Sequence, residues 1–291
     1  MTRELTPSTL DHLRSWVGRT ETTTDRVHAV PLNGLVATLD RDDPPMQPGT
    51  PVPPLWHWLF FLPQVRQGEL GPDGHPARGG FLPPVPLPRR MWAGSRLRWD
   101  VANPLRVDDD IVRSSRIASV EHKRGRSGDL VFVQVEHEIR NAAGRVLQET
   151  HDIVYRAPPG PGETPVAPTP AATGAAWQRE WRPDAVMLFR YSALTFNGHR
   201  IHYDRPYVTG EEGYPGLVVH GPLLATLLLD LLRRHAPQAR VEAFRFSARR
   251  PTFDGRPLRV HGQPDESGRV VRLWASDDEG WLTLDGEARL A

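Results

Sequence analysis

The sequence predicts an α+β protein made of two copies of one unit, each a curved antiparallel sheet wrapped around a helix. Three observations predict it. Each half of the chain closes on two strand-like runs joined by a short turn. One helix, "GPLLATLLLDLLRRHAP", is apolar on every side apart from Thr226, Asp230 and its basic end, so other structure must surround it. A proline-rich segment at 157–176, with no apolar periodicity, separates the halves.

The elements follow in chain order. "STLDHLRSWVG" (8–18) offers Ser or Thr as an N-cap and Gly18 as a stop, which predicts a helix. "HWLFF" (57–61) reads as sheet core. "DLVFVQVEHEI" alternates apolar and polar residues, "NAAG" supplies a turn, and "RVLQETHDIVYR" is a second strand. The segment "APPGPGETPVAPTPAATGAA" carries six prolines. It should be an extended linker that reaches roughly 60 Å at ~3.1 Å per residue. In the second half Pro222 suits the first position of the apolar helix, while Arg233, Arg234 and His235 favour its C-terminal dipole. "RVVRLWAS", the turn "DDEG" and "WLTLDGEARL" repeat the closing strand pair.

A second match lies upstream of each pair. "RWDVANPLRVDDDI" (98–111) and "RFSARRPTFDGRPL" (245–258) share an Arg-aromatic start, a proline six residues after the Arg and a final aliphatic residue. Strand, proline kink and strand pair thus recur in one order, which points to duplication of an α+β unit. A curved antiparallel sheet around one buried helix is the hotdog arrangement, and two in one chain make a double hotdog. The expected division is a non-catalytic first unit at 1–156, the linker at 157–176 and a catalytic second unit at 177–291.

Composition narrows the function. The 291 residues carry 36 Lys and Arg against 35 Asp and Glu, so no global field draws nucleic acid or an anionic membrane. Without cysteine there is no disulfide framework, thiolate nucleophile or thiolate metal site. The N-terminus lacks an apolar secretory region, and the longest apolar run is too short to span a bilayer. The expectation is a soluble cytoplasmic protein.

The chemistry concentrates in "FNGHRIHYD" (196–204), which is open to three readings: a polar loop, a metal site built on His199, His202 and Asp204, or an acid–base site. The metal reading lacks a matched third ligand elsewhere and is set aside. The acid–base reading gains from the glycine-rich stretch that runs into the apolar helix. The first amides of that helix have no intrahelical partner, and Gly221 lets a ligand approach the backbone. Such a terminus can hold a developing oxyanion.

Here the sequence resembles the MaoC-like (R)-specific enoyl-CoA hydratases, whose signature runs roughly G-D-x-N-P-[IL]-H-x-D and then [IV]-x-H-G. "TFNGHRIHYD" and "VVHGPLLATLL" occupy those places. The variant string "SALTFN", with "GYPGLVVHGPL" downstream, resembles a subgroup that includes 3-methylfumaryl-CoA (mesaconyl-CoA) hydratases, itaconyl-CoA hydratases and mitochondrial-type 3-hydroxyacyl-thioester dehydratases. "LWHWLFFLP", "LGPDGHPARGGFLPPVPLPRRMWAG" and "KRGRSGDLVFVQVEHEI" extend the resemblance into the first half.

The resemblance implies a hydro-lyase acting on an acyl-CoA, with coenzyme A only as the carrier and neither a metal nor another cofactor. It assigns His202 as the catalytic base and Gly221 as the oxyanion donor, and places Asn197 where the family has an aspartate. Arg89, Arg90 and Trp92 are candidates for binding substrate, as are His199 and Arg200; His199 can instead support His202. His220 reads as structural, and "EHKRGRSG" (121–128) as a solvated hairpin. Pairing of two chains into a homodimer is expected of such families. A fatty-acid dehydratase, a hotdog thioesterase and a non-catalytic acyl-CoA-binding protein remain as alternatives.

Overall fold

The computed structural model describes residues 5–125, 128–157 and 167–291. Ten strands form one antiparallel sheet: β1 (Thr20–Arg26), β2 (Arg89–Trp99), β3 (Asp110–Gly125), β4 (Gly128–Asn141), β5 (Gly144–Arg156), β6 (Trp177–Trp181), β7 (Val241–Ala248), β8 (Leu258–Pro264), β9 (Val270–Ser276) and β10 (Leu282–Leu290). Their order is β1-β3-β4-β5-β2-β7-β10-β9-β8-β6. Read from either edge, both sets of five run in the same order, β1-β3-β4-β5-β2 and β6-β8-β9-β10-β7. The two segments matched in sequence fall on the same connection in each set, from β2 to β3 and from β7 to β8. The fold is a double hotdog.

The units join where β2 pairs with β7, from Gly94↔Ser247 to Arg98↔Ala243. This seam needs a residue without a side chain, because a Cβ on Gly94 would lie 2.2 Å from the Phe246 carbonyl oxygen. The closing hairpins form as read, β4–β5 through the turn before Gly144 and β9–β10 through 277–280. The sequence reading missed β1, β3, β6 and β8. Of these β1, "TETTTDR", has no apolar residue to alternate, and β1 and β6 are edge strands with one bonded neighbour.

The apolar helix is α5 (Gly221–His235), packed on β8, β10, β9 and β6. Seven of its leucines are buried: Leu223, Leu224, Leu227, Leu228, Leu229, Leu231 and Leu232. Truncating such a leucine to alanine typically costs 2–5 kcal/mol, so the sheet and α5 stabilise each other strongly. Asp230, 4% exposed, would be costly alone; Arg41 Nη1 (2.6 Å) and Arg234 Nε (2.7 Å) both bond it. That network ties the second unit's helix to the first half of the chain.

The units differ in their helices. The predicted first helix is α1 (Pro7–Arg14), which packs on β3 and buries Leu13 in a satellite core with Val131, Val133 and Tyr155, on the same face of the first sheet as His151 and Glu149. A further helix, α2 (Ala29–Thr38), packs on α3 (Ala185–Thr195) of the second unit. Among the described residues the first sheet therefore has no helix buried along its length as α5 is; α1 buries Leu13 alone. Residues 158–166 of the expected linker lie outside the described residues, as do 126 and 127 of the expected hairpin "EHKRGRSG". The rest of the linker is bonded to the start of β10, with Leu282 N–H donating to Thr169 O and Ala171 N–H to Gly280 O. Among the described residues no helix is long and apolar enough to cross a membrane.

Candidate active site

The stretch 196–204 is a tightly bonded connection between α3 and the short helix α4 (Arg205–Gly210). Asp184 caps the start of α3, and Phe196 ends it in the left-handed region at φ 48°. Asn197 then closes a local turn: its N–H donates to Ser192 O (2.8 Å) and its side-chain oxygen accepts from His199 N–H (3.0 Å). One 3-10 turn, Arg200–His202, follows. Asp204 caps α4 through Tyr207 N–H (3.1 Å) and accepts from Arg200 Nε (3.0 Å) and Nη2 (2.8 Å). With Asp204 so engaged, the metal grouping His199–His202–Asp204 has no structural counterpart.

His202 is 7% exposed and lines the main cleft. Its Nδ1–H donates to Val218 O at 2.7 Å, which fixes the tautomer and leaves Nε2 as an acceptor without a partner among the described residues. Burial pushes its pKa down to about 4, opposed by the Val218 bond and reinforced by His75, so the ring is neutral at physiological pH. His220 lies flat against it, with ring centres 3.7 Å apart and planes 17° apart. The next residue, Gly221, begins α5; its N–H has no partner among the described residues and it lines the same cleft. His220 Nε2 is bonded with Ser192 Oγ (2.9 Å), in keeping with the structural role read for it.

The first unit also reaches this site. Loop 71–77 packs on 197–200 so closely that a Cβ on Gly74 would lie 1.9 Å from Gly198 O. Arg200 N–H donates to Asp73 O (2.9 Å), and Arg200 Nη1 to Pro72 O (2.9 Å). The loop brings His75 onto His199, ring centres 3.9 Å apart, and His199 in turn meets His202 edge-on at 5.4 Å. Asp73 Oδ2 accepts from His75 Nδ1–H (3.2 Å); burial opposes its ionisation, but the ring and backbone donors of His75 hold the carboxyl below its usual range. Burial lowers the pKa of His75, and drives His199 down to about 2. His199 therefore stands as a neutral ring between His75 and His202. Asp73, His75 and His199 offer atoms within 4.8 Å of one another, but the overlap of two of the imidazole rings fits packing better than shared coordination. Asp73 and His75 sit inside a stretch that the sequence singled out, "LGPDGHPARGG", yet nothing local marked them as site residues.

The other candidates separate. "PRRMWAG" is the start of β2, not a loop. Arg89 is spent on Glu212, through its carbonyl (2.9 Å) and carboxylate (3.7 Å), and on the Tyr214 ring. Arg200 is spent on Asp204, Pro72 O and the Tyr207 face, so it braces the loop and is not left for substrate. Arg90 has no ion pair among the described residues, lines the cleft and acts electrostatically on His75 and His199. Trp92 lines the cleft too, its N–H donating to Gly94 O (2.9 Å) and Ser95 Oγ (3.0 Å). "HWLFF" is not sheet: it forms a 3-10 turn at Trp56–Leu59, and residues 57–61 all line the cleft. The cleft measures about 2540 Å³ and runs from His202, Asn197 and Gly221 onto the inner face of the first sheet.

Comparison with known proteins agrees with this arrangement. The chain is 45% identical to the mesaconyl-C(4)-CoA hydratase of Chloroflexus aurantiacus, over 95% of this chain and 97% of that one. It is 28% identical to the mitochondrial hydroxyacyl-thioester dehydratase type 2 of Schizosaccharomyces pombe, over 77% and 79%. A conserved hypothetical protein of Mycobacterium tuberculosis, described as a double hotdog fold, superposes with a TM-score of 0.57 at 15% identity, over 97% and 98% of the two chains. The family model for hydroxyacyl-thioester dehydratase type 2 matches residues 55–254, from the 3-10 turn of the first unit through the loop after β7. The protein is a member of the hydroxyacyl-thioester dehydratase type 2 family, an acyl-thioester hydratase/dehydratase.

Proposed function

We propose that this enzyme adds water reversibly across the conjugated double bond of a short branched dicarboxylic enoyl-CoA, of the mesaconyl-CoA or itaconyl-CoA kind. The observation that carries the reading is His202: its Nδ1–H is locked on Val218 O, its Nε2 is left to the cleft, and its ring stacks on His220, the residue before Gly221, whose N–H at the head of α5 has no partner among the described residues. In the hydration direction Nε2 takes a proton from water as the oxygen bonds to the β-carbon. The π electrons move into the thioester, whose oxygen becomes an enolate facing Gly221 N–H. The imidazolium then returns the proton to the α-carbon, and base and enzyme are restored. A positioned acid–base group contributes about 10²–10⁴ in rate, and an oxyanion donor of this kind ~10²–10³.

Arg90 supports the choice of acyl group: it lines the cleft, acts electrostatically on His75 and His199, and has no ion pair among the described residues. A guanidinium–carboxylate contact is directional and stronger than a neutral hydrogen bond. The 45% identical relative, a mesaconyl-C(4)-CoA hydratase, supports the same choice. The 28% identical relative favours a second reading, dehydration of 3-hydroxyacyl thioesters in fatty-acid synthesis. On the first reading the enzyme is cytoplasmic, uses coenzyme A only as the carrier, needs neither a metal nor a redox cofactor, and works as a pair of chains. Loss of the conjugated-thioester absorbance measures turnover. Mesaconyl-CoA should exceed crotonyl-CoA in kcat/KM; an equal or reversed order would favour the fatty-acyl reading.

A further inference from the structure

The inner face of the first sheet, which α1 covers only around Leu13, carries a buried polar cluster that the hydration chemistry does not use. Glu149, 4% exposed on β5, accepts from His57 Nε2–H (3.1 Å), His151 Nε2–H (2.8 Å) and Trp58 Nε1–H (3.2 Å). Burial opposes its ionisation, but the two histidines hold the carboxyl well below its usual range, so it stands as a carboxylate. His137 packs edge-on to His151, with ring centres 4.7 Å apart, and bonds Ser115 Oγ at 2.9 Å. Arg113 lines the same wall with a buried Nε that has no hydrogen-bond partner.

These groups belong to the cleft that holds His202. From the catalytic end its lining follows Tyr155, Ile153, His151 and Glu149 down one face of β5. Six residues of strand cover roughly 20 Å. A thioester held at Gly221 has this groove as its inward continuation, and the groove becomes more polar with depth. An alkyl chain lying there would displace water from the partly exposed His137, His151 and Arg113 without offering a hydrogen bond in return.

We propose that the Glu149 cluster determines specificity: it closes the groove to long alkyl chains and restricts the enzyme to short acyl thioesters. The inference rests on the reading of the cleft as an acyl-thioester site, and deepens it. A wholly apolar groove would tighten binding about fourfold for each added methylene, so by more than ~10³ over six of them.

Binding of saturated acyl-CoAs tests the claim without requiring turnover. Titration calorimetry of the full-length enzyme with butyryl-CoA and decanoyl-CoA should give dissociation constants within about threefold of each other. Decanoyl-CoA binding a hundredfold tighter or more would overturn the proposal. The second arm replaces Glu149 together with its three hydrogen-bond partners, by Glu149→Leu, His57→Phe, His151→Leu and Trp58→Phe, because removing one partner alone would leave buried polar groups unpaired. In a variant shown folded by circular dichroism, decanoyl-CoA should bind at least about tenfold tighter than in the wild type. No gain in that folded variant would also overturn it; if the variant does not fold, the wild-type pair alone decides. Failure of the hydratase reading itself would appear elsewhere, as acyl-CoA binding with no loss of enoyl absorbance.

Discussion

Gly74→Ala places a methyl group where the first unit's loop touches the catalytic turn. The added Cβ would lie 1.9 Å from Gly198 O and 2.9 Å from Gly198 C, both backbone atoms that cannot swing aside. Ordinary contact begins at 3.4 Å, so the two loops must part by about 1.5 Å. Gly74 also sits at φ +83°, where alanine costs roughly 1–2 kcal/mol more. The displacement falls on 197–200, which carries Asn197 and His199 and leads into His202. Misplacement by ~1 Å can cost about 10² in rate. Hydration kinetics on a purified variant should therefore show kcat lowered by ~10² or more, with cooperative unfolding retained at reduced stability. A folded Gly74→Ala enzyme with wild-type kcat would refute the idea that the first unit positions the catalytic turn.

Further predictions concern single groups. Asn197→Ala should lower kcat about tenfold or more, whereas Asn197→Asp, which can still accept from His199 N–H, should retain more activity; equal values would mean that the turn bond is irrelevant. Arg90→Met should reduce kcat/KM for mesaconyl-CoA at least about tenfold while leaving crotonyl-CoA within a factor of a few, and a parallel loss on both would exclude Arg90 as the carboxylate's partner. Stability should fall with acidification. The pKa of His202 is about 4 when folded against ~6.5 when unfolded, so the unfolded chain binds more protons between these values. His202 then contributes stability in full above about pH 6.5 that is lost progressively as pH falls to about 4, worth about 3 kcal/mol. His199 and His137, lowered to about 2 and about 3, act in the same direction. Denaturant unfolding at pH 4.5 and 7.5 measures the difference, and equal midpoints would contradict it.

The second unit was legible because its signals are local. An apolar helix with Pro222 at its head, one strand pair with its turn residues, and His202 and Gly221 at fixed spacing all lie within short windows. Asn197 was legible as a site residue, but its bond to His199 N–H, which makes it a turn-former, depends on backbone geometry. The first unit was harder to read for physical reasons. Its edge strand β1 is "TETTTDR", polar on both faces, so no period marks it. Asp73 and His75 act on His199, more than a hundred residues away, through a loop contact that no spacing encodes. Glu149 and His151 look like the polar face of an alternating strand; only the lack, among the described residues, of a helix buried along it turns that face into the wall of a cleft. Arg89 and Arg200 erred the other way: as lone arginines they read as ligand contacts, until Glu212 and Asp204 proved to be their partners.

His202→Ala, followed by loss of the conjugated-thioester absorbance with mesaconyl-CoA, tests the central claim most directly. His202 Nε2 is proposed to carry the proton both ways, so turnover should fall by at least ~10² while the fold, checked by circular dichroism, is retained. A folded His202→Ala enzyme that hydrates mesaconyl-CoA at near the wild-type rate would contradict the account.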